Sequence, residues 1–263
     1  MSAGVSRPVF GIRFSLATND EIVREICQGK IERSSGAKLL VTTNLYHVVT
    51  LRKNSRFREA YARAWKVTID GAPVYLYARC RGAAVPERIT GADLFPDILR
   101  TLSPDMHRPF FVAAQQQTAD RLTAWLVGRG FTAEQIAAVV PPFGFDRDAG
   151  YSASLAEKIR QHGTTHLFFG LGIPKSEIWI DQNRAMLGDL YAFAFGAGLE
   201  FFAGVTKRAP LVFRKCGMEW LWRVLQEPRR LFRRYFVDSW PFFIAIADDI
   251  RFNGNLPEAR LPR

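Results

Sequence analysis

Cysteine is scarce in this chain. Its 263 residues hold three, Cys27, Cys80 and Cys216, an odd number at wide spacing with no CxxC pair. That pattern argues against a disulfide framework and a thiolate metal site, and it fits buried thiols in a reducing cytoplasm. Histidine is nearly as sparse. His47, His107, His162 and His166 show no ligand spacing, and the four-residue step from His162 to His166 crosses Gly163 and two threonines, a helix-to-strand turn. No apolar run approaches the ~18 residues needed to span a bilayer. The nearest, residues 236–247, contains Asp238 and Pro241. Residues 1–16 include Arg7 and Arg13 but no unbroken apolar stretch, so no secretory signal is expected there. A G-x-S-x-G elbow and a Walker A loop are also missing, which removes the nucleophilic hydrolase and P-loop readings.

Positive charge is abundant, and it is unevenly placed. Residues 205–235 carry nine Lys or Arg against Glu219 and Glu227, a net +7 of the chain's formal +11. The arginines alternate with Trp220, Trp222, Phe232, Tyr235 and Phe236. Guanidinium forks bind phosphate bidentately, and aromatic rings settle at a headgroup boundary. The segment therefore reads as a surface for phosphate-bearing partners. An amphipathic interfacial helix is expected over 227–243, with Leu231, Tyr235, Trp240 and Phe242 on its apolar side. Residues 1–204 hold 24 bases and 19 acids, and neither a helix-turn-helix nor an RNP-like motif is present, so no nucleic-acid partner is expected.

Short β-branched or aromatic runs alternate with longer helical patterns. Strands are expected at 38–43, 66–70, 109–114, 136–140, 165–170 and 190–196. Helices are expected at 44–65, 72–81, 92–102, 118–129, 152–161 and 175–187. Such alternation predicts an α/β fold, a mainly parallel Rossmann-like sheet with helices on both faces. From about residue 205 the pattern is helical, basic and aromatic. We therefore expect a core over 1–204 and a helical appendage over 205–263.

In an open α/β sheet, ligands sit beyond the carboxyl ends of the strands. That rule selects Thr42, Thr43, Asn44, Asp70, Gln115, Gly170–Gly172 and Gly196–Gly198. Asp70-Gly71 is also a common turn pair. Gly170-Leu171-Gly172 lacks the third glycine of a dinucleotide site, since position 175 is Lys, so it reads as a tight turn opening a helix at Pro174. Backbone N–H groups there suit an anion. Asp146-Arg147-Asp148 follows Pro141, Pro142 and Gly144 and reads as a solvated turn rather than a metal-binding D-x-D. Asp248-Asp249 reads as the surface of a C-terminal helix.

Several segments together resemble one family. They are Thr42-Thr43-Asn44, Thr68-Ile69-Asp70-Gly71, Glu87-Arg88-Ile89-Thr90-Gly91 and Gly170-Leu171-Gly172-Ile173-Pro174-Lys175-Ser176-Glu177. Further on come Gly196-Ala197-Gly198, Arg208-Ala209-Pro210, Gly217-Met218-Glu219-Trp220-Leu221-Trp222-Arg223 and Glu227-Pro228-Arg229-Arg230. In this order, over roughly residues 8–240, the set resembles the bacterial WecG/TagA/CpsF glycosyltransferases. One departure is Ser176, where the family pattern usually has Gln.

The resemblance implies an inverting hexosyltransferase, peripheral on the cytoplasmic face of the inner membrane. It would move a sugar from a UDP-sugar donor to a polyprenyl-diphosphate-linked sugar. The nearest likeness is to the xanthan-assembly branch of exopolysaccharide biosynthesis, which implies β-1,4 transfer from UDP-glucose. N-acetylmannosamine transfer to N-acetylglucosaminyl-diphospho-polyprenol is the alternative. Asp70 matches the catalytic base, with Thr42 and Asn44 orienting substrate. Gly172, Lys175 and Ser176 are expected beside them. With no metal site apparent, Arg88, Arg223, Arg230 and Arg233 are expected to neutralise the leaving diphosphate without a cofactor. The appendage is expected to dock on anionic lipid, and a core without it is expected to self-associate.

Overall fold

The computed structural model describes residues 7–28 and 36–255. After α1 (Asn19–Gln28), β1 (Lys38–Thr43) leads into α2 (Leu45–Lys53) and α3 (Ser55–Ala62), then β2 (Lys66–Ile69), α4 (Ala72–Cys80) and α5 (Gly91–Thr101). Next come β3 (Pro109–Val112), α6 (Gln116–Val127), β4 (Ala137–Val139), α7 (Ala149–Gln161) and β5 (His166–Phe169). The core continues through α8 (Lys175–Gln182), α9 (Arg184–Leu187), β6 (Tyr191–Ala194) and α10 (Gly198–Phe202). Four helices follow: α11 (Leu211–Lys215), α12 (Glu219–Gln226), α13 (Pro228–Phe232) and, after a π-helical turn at Arg233–Val237, α14 (Pro241–Arg251).

The six strands form one sheet in the order β2-β1-β6-β5-β3-β4, and every pairing is parallel. This is the expected α/β sheet. Its central strands are apolar on both faces, as a sheet covered by helices on both sides requires. Along β5, Leu167 and Phe169 join one core while Phe168 joins the other; in β3, Phe110 and Val112 oppose Phe111 in the same way. One core takes α2, α3, α4, α7 and α8. The other takes α1, α5, α6 and α10.

Two expected helices are each divided by an asparagine. Asn54 leaves α2 in an extended conformation and caps α3, its side chain accepting from Phe57 N–H at 3.0 Å. Asn183 separates α8 from α9. Short polar side chains that bond locally to backbone compete with helix continuation, which a periodicity argument does not weigh.

The segment after residue 205 has two different fates. Helices α11 to α13 lie over the carboxyl edge of the sheet, whereas α14 returns to the core. Phe242 and Ala245 are buried with it, and Phe242 packs against Phe10. Asp249, which reads from sequence as a surface residue, is buried. It bonds to Arg81 Nε at 3.1 Å, to Tyr77 OH at 2.8 Å and to the Phe10 N–H. Asp248 is paired with Arg52 at 2.5 Å. The interfacial helix expected over 227–243 is therefore broken. Leu231 and Phe242 are buried, Trp240 is exposed, and the side chain of Tyr235 lies outside the described residues.

Candidate active site

The parallel strands end on a common rim, and a cavity of about 460 Å³ opens there. Its floor and walls come from the ends of β1, β2, β5 and β6: Thr42, Asp70, Gly170 to Ile173, and Ala194 to Gly198. Its roof comes from the chain after residue 205, through Glu219, Trp220, Arg223 and Phe236. The roof is seated closely. Gly217 has φ +70°, and a Cβ there would stand 2.7 Å from the Ala72 Cβ of α4, so a side chain at this turn would lift it.

Asp70 follows the last residue of β2. Its N–H and that of Gly71 both donate to the Thr43 carbonyl, at 2.8 and 3.1 Å. Burial, reinforced by the charge of Glu219, pushes its carboxyl up to about 6, against the opposing pull of Arg88 and Arg223. Such a carboxylate is ionised at neutral pH yet basic enough to accept a proton from a hydroxyl. Thr42 is buried beside it at the end of β1. Asn44 caps α2, its Oδ1 accepting from Tyr46 N–H at 3.0 Å and His47 N–H at 3.3 Å. No hydrogen bond engages its Nδ2 among the described residues.

Arg88 lines the cavity and bridges its two halves. Nη1 donates to the Asp70 carbonyl at 2.9 Å and Nη2 to the Arg214 carbonyl at 3.2 Å. Arg223 also lines the cavity, with its guanidinium 5.6 Å from the Phe201 ring centroid. Gly172 lines it from the turn after β5, where a Cβ would meet nothing within 4 Å.

Other expected contacts lie elsewhere. Lys175 turns away from the cavity lining toward the loop after β4. Its Nζ lies 3.6 Å from Asp146 and 5.0 Å from the Phe143 ring centroid. Ser176 is buried, and its hydroxyl donates to the Leu171 carbonyl at 3.2 Å, so it shapes the turn rather than facing the cavity. Arg233 is exposed and approaches Asp238 at 3.6 Å. The side chain of Arg230 lies outside the described residues. Arg208, counted from sequence in the phosphate-facing patch, is an internal strut instead: it binds Asp93 at 2.7 Å and Glu219 at 3.3 Å.

The cavity also holds groups that sequence reasoning passed over. Glu177 stands inside a quoted motif, and His47 was set aside with the other histidines, yet both line the wall. Glu219 is an acid hidden in a basic run. Glu200 and Phe201 lie within α10 and Trp220 within α12, and strand-end reasoning reaches none of the three. Among the described residues no group of three or more His, Cys, Asp or Glu side chains could hold a metal ion.

Two relatives, from Staphylococcus aureus strains MW2 and NCTC 8325 / PS 47, are each named N-acetylglucosaminyldiphosphoundecaprenol N-acetyl-beta-D-mannosaminyltransferase. Each is 24% identical to this chain over 243 residues, covering 91% of this chain and 92% of the relative. The model of the glycosyl transferase WecG/TagA/CpsF family matches residues 7–255. The chain, an α/β protein with its strand-end rim closed by a basic roof, belongs to the WecG/TagA/CpsF family of glycosyl transferases.

Proposed function

We propose that this protein transfers N-acetylmannosamine, with inversion, from a UDP-sugar to a sugar carried on polyprenyl diphosphate. The observation that carries the reaction type is Asp70, set at a strand end in the cavity with its carboxyl raised to about 6. In the displacement, Asp70 removes the proton of the acceptor hydroxyl. The hydroxyl oxygen attacks the anomeric carbon from the face opposite the nucleotide, and the bond from that carbon to the diphosphate oxygen breaks. Thr42 and the Asn44 amide orient the sugars, and such orientation supplies several kcal/mol of the barrier reduction. Arg88 and Arg223 face the cavity and neutralise the charge that develops on the leaving diphosphate, with no metal required.

The sugar assignment rests on the names of the S. aureus relatives. The sequence reading of UDP-glucose rested on the likeness to the xanthan-assembly branch; Ser176, the one departure from the family pattern, is buried against Leu171 and does not face the cavity. Glucose transfer is therefore the competing outcome of the test.

The roof would meet the membrane that holds the acceptor. Leu211, Val212, Leu225, Phe232, Val237, Trp240 and Phe243 are all exposed on or beside it. Trp240 is 66% exposed, which is unusual for an indole away from a partner. Among the described residues no helix is long and apolar enough to cross a bilayer, so this surface suits contact with the interface.

The test is transfer to short-chain N-acetylglucosaminyl- and glucosyl-diphospho-lipids, with UDP-N-acetylmannosamine and UDP-glucose side by side, with and without EDTA. Transfer from UDP-N-acetylmannosamine that survives EDTA and collapses in Asp70→Asn is expected. Transfer from UDP-glucose alone would keep the reaction and overturn the sugar; loss in EDTA would overturn neutralisation by arginine alone.

A further inference from the structure

Four buried polar side chains run in a line from the cavity wall to the end of β1. Glu177, in the first turn of α8, and His47, in α2, are both buried and both line the cavity. His47 Nε2 lies 3.7 Å from Glu177 Oε1, and its Nδ1 lies 2.6 Å from the Tyr61 hydroxyl. The Tyr61 hydroxyl lies 3.2 Å from Thr43 Oγ1. One arrangement of protons that fits these distances has the Thr43 hydroxyl donating to Tyr61, Tyr61 donating to Nδ1, and Nε2 facing the carboxylate across 3.7 Å, an electrostatic contact rather than a hydrogen bond.

The line ends at the catalytic carboxylate's own main chain. Thr43 holds Tyr61 with its side chain, and its carbonyl accepts both the Asp70 and the Gly71 N–H. Tyr61 is raised well above its ordinary value by burial, and the charges of Glu177 and Asp70 push it the same way. The phenol thus stays a donor, and both carboxylates act on it. Apolar side chains would fill this volume without the cost of desolvating an acid, an imidazole and a phenol. Packing alone does not account for the line, whereas fixing one geometry does.

Resting on the transferase reading of Asp70, we propose that Glu177, acting through His47, Tyr61 and Thr43, is a positioning residue that holds the Asp70–Gly71 main chain and the start of α2 in register for the displacement. The line joins the turn after β5 to the ends of β1 and β2. It therefore ties the glycine-rich wall of the cavity to the base on its floor.

Tyr61→Phe is the informative variant, because it keeps the ring, does not line the cavity and removes only the central hydroxyl. In the full chain, Tyr61→Phe is expected to lower kcat about 10-fold and Glu177→Ala about 30-fold, the scale of a sub-ångström misplacement. The donor KM should stay within about threefold, because neither variant deletes a substrate contact. The double variant should be no slower than Glu177→Ala alone, as one line of contacts requires. Glu177→Gln, which keeps the side chain's shape and an oxygen facing Nε2, should restore most of the rate. Hydrogen exchange gives a readout independent of turnover: the Asp70 and Gly71 amides should exchange faster in Tyr61→Phe and Glu177→Ala, with β3 and β5 unchanged. A raised KM with kcat intact would make Glu177 a sugar contact and overturn the proposal. Additive losses, or unchanged exchange at Asp70 and Gly71, would also overturn it. If the wild type transfers no sugar, the transferase reading fails on its own, and the exchange measurement still decides the positioning role. Should Glu177→Ala not fold, Tyr61→Phe carries the test in both assays.

Discussion

The floor and the roof of the cavity treat charge in opposite ways. On the floor, Asp70 is held in a desolvated niche and raised to about 6. In the roof segment, Arg233 is largely exposed, and Arg223 looks into the cavity. The floor gives up fold stability to make one group reactive, while the roof leaves Arg233 near the surface and ties Arg208 inward to Asp93 and Glu219. Rigid strand ends suit the base, whose placement must be accurate to a fraction of an ångström. A short helical cover suits the surface proposed to meet both a diphosphate and lipid.

The largest effect should come from the floor. Asp70→Asn is expected to lower kcat about 10³-fold, within the range for loss of a general base. In the wild type, kcat should fall as pH drops through about 6, because the base is then protonated. The same substitution should stabilise the fold. Asp70's folded value lies above its unfolded one, so its ionisation opposes folding as pH rises from the unfolded value through about 6. At pH 7 the amide should add about 1–3 kcal/mol, measured by denaturant unfolding, and below about pH 4 the difference should vanish. An inactive variant with unchanged or reduced stability at pH 7 would break the contrast between floor and roof.

The second effect separates α14 from the roof proper. Asp249→Ala strands Arg81 in a partly buried site and removes the acceptors for Tyr77 and Phe10. It should cost about 3–5 kcal/mol in unfolding free energy, as breaking a buried pair does. A cost under about 1 kcal/mol would mean that α14 belongs with the roof rather than with the core. Truncation at residue 205 removes this helix too, so loss of activity in such a chain says little about membrane docking.

The third effect belongs to the roof. Arg223→Ala should lower kcat about 10²-fold with Tm nearly unchanged, since its guanidinium faces the cavity and the Phe201 ring and acts on Asp70 through charge alone. Arg88→Ala is a less clean probe, because Arg88 also ties Asp70 to Arg214 through their carbonyls. A large drop in Tm for Arg223→Ala would make that residue another internal strut, like Arg208.

The floor was legible in the sequence because its physics is local. Buried parallel strands read as unbroken apolar runs, and the rule that ligands sit at strand ends then selects Thr42, Asn44 and Asp70 without reference to the rest of the chain. The roof was legible only as composition. Nothing local to Glu219 or Trp220 indicates that they close over Asp70 from about 150 residues away. The aromatic pattern runs on into α14 after the last base of the patch, Arg234, which hides the return of Phe242 and Asp249 to the core. Ser176 and Lys175 failed for a different reason: adjacent positions in a turn point to different places, one inward to Leu171 and one across to Asp146. Motif membership does not resolve direction, whereas strand alternation does.

The smallest effect is the one that tests the roof as a surface. Trp240 and Phe243 pack on one another, with centroids 5.2 Å apart, and both are exposed. Replacing either with Ala should leave Tm and cavity chemistry nearly unchanged, because no buried contact is lost. Sedimentation with anionic vesicles should show weaker binding, by about 1–2 kcal/mol per ring if the ring enters the interface. Turnover should fall on a long-chain lipid acceptor in vesicles but not on a short-chain acceptor in solution. If both acceptors lose rate equally, these rings shape the cavity rather than the membrane contact. The distinction between a precise floor and an adaptable, lipid-facing roof would then give way to a single rigid enclosure.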